Sequence, residues 1–105
     1  MRMMMKVSMA NEAANPAIVH GSLGPTIQRI LEELRPEAAY FGAENGERTG
    51  YLFFDMKDSS QIPAVAEPWF LAFNAKVGFQ PVMSAQDLAA SAPGMEHAVK
   101  GFSKA

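Results

Sequence analysis

Cysteine is missing from this chain, and tryptophan occurs once. Without a thiol there is no disulfide, no thiolate nucleophile and no cysteine-ligated metal centre. Histidine is nearly as scarce. His20 and His97 lie far apart without clustered carboxylates, so no metal site is expected. An excess of one charge is also lacking: 9 basic and 11 acidic residues leave a net charge of −2. No basic stripe follows a phosphate backbone, and nucleic acid is not an expected partner. Long hydrophobic runs are absent too. No window approaches the roughly 18 apolar residues that span a bilayer. The apolar opening is cut by Lys6 and Ser8 and is too short for a signal-peptide core. The expectation is a cytoplasmic protein with no membrane contact.

What the chain does hold is apolar content. At 105 residues, 49% apolar and 19% charged, it reads as one globular domain, 1–105, with a modest core. Eight methionines, four of them in the first five positions, supply soft core filler.

The stretch organising the rest is Ala38–Met56. Two aromatic-rich runs flank Asn45-Gly46, the strongest short-range hairpin signal. In the second strand Ala39, Phe41 and Ala43 share a face against Tyr40, Gly42 and Glu44. In the third, Leu52, Phe54 and Met56 oppose Tyr51, Phe53 and Asp55. Upstream, Met3–Met9 alternates as a first strand, and Asn11 to Asn15 reads as a polar loop. Asn15-Pro16 opens a short helix that breaks at Gly21–Pro25. Thr26–Leu34 resumes it, with Leu23, Ile27, Ile30, Leu31 and Leu34 as the apolar stripe, and Pro36 ends it.

Downstream, Lys57–Ser60 is a capped turn, and Gln61 to Asn74 a helix with stripe Ile62, Val65, Ala66, Trp69, Phe70 and Phe73. Pro68 in its interior predicts a kink or break near Ala64–Glu67. Ala75–Met83 is a fourth strand, placed at an edge by Pro81. Ser84 and Asp87 cap a short helix that Pro93-Gly94 ends. The remaining tail, about 93–105, is expected to be helical or frayed, with Gly101–Ala105 frayed.

The order β-α-β-β-α-β implies a ferredoxin-like, α+β architecture. Its antiparallel four-stranded sheet would run four-one-three-two, with two helices on one face. The other face would carry Met4, Lys6, Tyr40, Tyr51, Phe53 and Asp55. It is too apolar to stay wet, and a second copy is the expected cover, closing a dimeric α/β barrel.

Two runs carry a family resemblance: LEELRPEAAYF…ENG…FD (Leu31 to Asp55) and QIPA…AEPWF…NA…PVM (Gln61 to Met83). They resemble small uncharacterised bacterial proteins of the dimeric α/β-barrel, ferredoxin-like superfamily. The resemblance implies the fold and a homodimer and adds no activity. The wider superfamily includes cofactor-independent monooxygenases, haem-degrading monooxygenases and isomerases. Haem-degrading members use an Asn, a Trp and a His. Here Asn11 or Asn74, Trp69 and His20 are on offer, but no His follows Trp69 in its helix, so no cofactor is expected.

Trp69, Phe70 and Phe73 read first as core and second as the wall of a pocket for a small apolar or aromatic molecule, with His20 at its mouth. The rival reading is a cofactor-independent monooxygenase or isomerase. Its best residues would be His20 as base, Glu67 as a carboxylate aimed into the pocket, Trp69 and Tyr51. Tyr40, Tyr51, Lys6 and Asp55 read first as a satisfied polar network in the dimer interface and second as the polar lining of a ligand cavity there.

Overall fold

In the first strand, β1 (Arg2–Met9), every second side chain is apolar and buried. Met3, Met5, Val7 and Met9 point into the core, while Met4, Lys6 and Ser8 are half-buried on the opposite face. The computed structural model describes residues 1–104, so Ala105, the end of the tail expected to fray, lies outside the described residues.

The expected loop at Asn11 to Asn15 is helical instead. Helix α1 (Asn11–Val19) starts there because the amides of Ala13 and Ala14 both close on the Ala10 carbonyl, at 3.1 and 2.8 Å. Pro16 sits inside α1 rather than at its start, and the bond it forfeits would have gone to exposed Glu12. The expected break is real but shorter. Gly21 takes φ 73°, and α2 (Leu23–Leu34) resumes at once. Pro25 is tolerated because it falls in the first turn, where no amide needs a helical partner. Arg35, at φ 51°, ends α2 ahead of Pro36.

Strands β2 (Ala38–Glu44) and β3 (Glu47–Asp55) form the hairpin. Asn45 and Gly46 have φ 54° and 79°, the left-handed pair that a two-residue turn between twisted strands requires. Asp58 and Gln61 make a reciprocal cap around a 3₁₀ turn, Ser59–Gln61, which leads into α3 (Ile62–Phe73). The break expected at Ala64–Glu67 is absent, and α3 runs through Pro68 as one helix. The carbonyl Pro68 leaves without a donor is that of Ala64, an exposed residue that water can serve. Buried Ala66, Trp69 and Phe73 hold the helix on both sides of the proline. Strand β4 (Lys76–Pro81) is shorter than expected and ends at its proline.

The four strands form one antiparallel sheet in the order β2-β3-β1-β4, so β4 lies at an edge. The buried apolar residues of β1 and β3 share a face, which α1, α2 and α3 cover with Ala14, Ile30, Trp69 and Phe73. This is an α+β fold. Among the described residues no helix is long and apolar enough to cross a membrane.

Two further helices follow. Helix α4 (Ala85–Ala90) has the expected Ser84–Asp87 capping box. Helix α5 (Ala92–Phe102) is longer than expected, because Pro93 opens it instead of ending α4. Neither helix has a buried residue, and both stand away from the sheet. The molecule therefore measures 61 × 28 × 21 Å. Its radius of gyration is 17.8 Å, against about 13 Å for a compact chain of this length.

Candidate functional site

Helix α2 carries two apolar columns. One, Ile30 and Leu34, turns towards the sheet centre and α3; the other, Leu23, Ile27 and Leu31, repeats every fourth residue along the side facing β2. Gly50 of β3 has no side chain, and the Phe41 ring lies over it. A Cβ there would sit 2.9 Å from the Phe41 ring edge. The ring is half-exposed and forms a wall, not a plug. Between this wall and the outer column of α2 lies a cleft of about 780 Å³, floored by Met9. Gly24 and Gly42 border it, and a Cβ on either would meet nothing within 4 Å.

The cleft is mainly apolar: Thr49 lines it, and Gln28, Glu32 and Arg48 stand at its rim. Arg48 is held by α1. Its Nη1 donates to Asn15 Oδ1 at 2.8 Å and to Asn11 Oδ1 at 3.5 Å, while Asn11 Nδ2 donates to the Gly46 carbonyl at 2.9 Å. Both side-chain partners are neutral. Among the described residues Arg48 has no carboxylate within ion-pair distance. The cleft can thus take an apolar body and offer a positive group to an anionic end.

The opposite sheet face has its own polar cluster. Lys6 Nζ and the Tyr51 hydroxyl both donate to the Glu44 carboxylate, the latter at 2.6 Å. These bonds hold Glu44 below the usual carboxylate range and push Lys6 and Tyr51 up. Asp55 is also lowered, by the terminal ammonium of Met1 2.7 Å away. Tyr40 and Phe53 meet edge to face with centroids 6.5 Å apart.

The residues singled out from the sequence do not converge. Trp69 and Phe73 are fully packed in the core, tilted on one another at 6.2 Å, and do not line this cleft. Phe70 is half-exposed on the outer side of α3. His20 is exposed at the end of α1, Glu67 is exposed on α3, and Tyr51 lies on the far sheet face. No group of three or more potential metal ligands forms among the described residues. The cleft residues were legible only in part. The α2 stripe was visible, but its division into a buried and an open column depends on how far β2 reaches beneath it. Arg48 had no sequence signal beyond its place after the turn. No family model matches the chain, and the search of curated proteins found no match.

Proposed function

We propose that this protein binds a small apolar or aromatic molecule with an anionic end, in the cleft between α2 and β2. The observation that carries the reading is a largely apolar cleft of about 780 Å³ with a guanidinium at its rim that is held by neutral amides and has no carboxylate partner among the described residues. That volume suits a ligand of drug or medium-chain acid size. Nothing in the cleft pairs a nucleophile with a base, so binding rather than turnover is the reading. The working unit is a homodimer of ferredoxin-like subunits, joined through the outer sheet face. Supporting it are the strand order, which from the other edge runs β4-β1-β3-β2, and the aromatic Tyr40, Tyr51 and Phe53 on that face.

A thermal-shift series of medium-chain carboxylates, aromatic acids and the matching alcohols tests the ligand. The acids should raise Tm more than the alcohols. Arg48→Met should weaken acid binding about tenfold or more, the worth of a charged hydrogen bond, and leave alcohol binding unchanged. A series in which no apolar acid stabilises the protein overturns the reading.

A further inference from the structure

We infer that Asn15, assisted by Asn11, makes the cleft select acids: it positions the Arg48 guanidinium and leaves the charge to the ligand, an inference that rests on the cleft reading above. Asn11 and Asn15 are one helical turn apart, so the helix that replaces the expected loop puts both amides on one face of α1. A guanidinium can only donate, so each amide must turn its oxygen towards Arg48. The two N–H groups of Nη1 are then taken up, by Asn15 Oδ1 at 2.8 Å and by Asn11 Oδ1 at 3.5 Å. Asn11 is itself fixed to the hairpin turn, because its Nδ2 donates to the Gly46 carbonyl at 2.9 Å.

These bonds leave the Nε–Nη2 edge of Arg48 over. Among the described residues nothing accepts from either nitrogen. That edge carries two parallel N–H groups, the fork that a carboxylate meets with both oxygens. Arg48 lines the cleft together with Met9 and Leu23, so the anionic end of a ligand and its apolar body are served by one site.

The neutrality of the two amides decides the chemistry. The other cations of the two central strands are answered by carboxylates: Arg2 meets Glu37, and Lys6 meets Glu44. Glu12 and Glu47 adjoin Asn11 and Arg48 in sequence, yet among the described residues neither pairs with Arg48. A carboxylate at position 15 would tie α1 to the hairpin more firmly, since both partners would be charged. An amide oxygen holds the guanidinium in place without cancelling its charge.

The test compares octanoate with octanol, and phenylbutyrate with phenylbutanol, by titration calorimetry on the full chain. Asn15 is exposed, and its variants should fold. Asn15→Asp sets a negative charge against Nη1, so acid affinity should fall about tenfold or more while alcohol affinity holds. Asn15→Ala loosens Arg48 but leaves its charge whole, so acids should lose only about threefold and stay preferred. The readout is the acid-to-alcohol ratio, because damage to α1 would weaken both ligand types together. A purely structural staple predicts the reverse ranking, since Asn15→Asp keeps a bond to Arg48 and Asn15→Ala does not. An acid preference that survives Asn15→Asp, or that falls further in Asn15→Ala, overturns the inference and leaves the cleft reading standing. A wild type that binds these acids no better than the alcohols overturns both.

Discussion

Glu44 accepts hydrogen bonds from both Lys6 and Tyr51 and is the hinge of the polar cluster on the outer sheet face. Its folded-state pKa lies below its unfolded one, so its contribution is complete above the carboxylate range and is lost as pH falls through the folded value. Glu44→Gln should therefore melt slightly below the wild type at neutral pH, and the gap should close on acidification. Lys6 and Tyr51 are shifted upward, and their contribution persists until pH rises through their raised values. Thermal melts of both proteins across pH check each limb. Trp69 poses the opposite case. It is wholly buried, and its indole N–H has no hydrogen-bond partner among the described residues. Trp69→Phe removes that orphaned donor together with some packing, so the net loss should be only about 1 kcal/mol. Trp69→Ala leaves a cavity and should cost about 3–5 kcal/mol. Urea titrations separate the two.

At the scale of elements, the strands were legible and the helix limits less so. Alternation in β1 and the Asn45-Gly46 turn determine register directly, since a slip by one residue would turn Met5 and Leu52 outward. Proline was the misleading signal. Pro16, Pro68 and Pro93 read as punctuation, yet two lie inside helices and one opens a helix. Local chain chemistry cannot show that core anchors on either side hold a helix together, as Trp69 and Ala66 do around Pro68. Two glycines, Gly24 at the cleft border and Gly50 beneath the Phe41 ring, should respond differently to a methyl group. Gly24 is helical with open space beside it, so Gly24→Ala should stabilise α2 by about 0.4–1 kcal/mol. Gly50→Ala would press on the Phe41 ring at 2.9 Å and on Leu52 at 3.3 Å. It should cost about 1–3 kcal/mol and displace the cleft wall, so acid binding should weaken with it. Denaturation and the same ligand series measure both effects.

On the scale of the whole molecule, shape was the least legible property. The sequence showed that Ser84 starts a helix, but helices α4 and α5 carry no local mark of whether they fold back or stand clear. The contacts that mark their root are distant in sequence, such as the Arg2–Asp87 pair at 3.8 Å, which joins residues 85 positions apart. The projecting C-terminal helices predict a scattering signature: a lone chain should show a radius of gyration near 17.8 Å and a longest dimension near 61 Å, and small-angle scattering checks both. The candidate site was hidden for the same reason: a cleft is a relation between elements, and neither Phe41 nor Arg48 reveals it alone.

The methionine row of β1 has a chemical consequence. Met3, Met5 and Met9 are sealed beneath the helices, whereas Met1, Met83 and Met95 face solvent. Dilute peroxide should convert the outer thioethers to sulfoxides promptly and spare the inner ones until the sheet opens. Peptide mass spectra over an oxidation time course would then show two populations. The slow one, followed at Met5, times the opening of the core without dye, tag or denaturant.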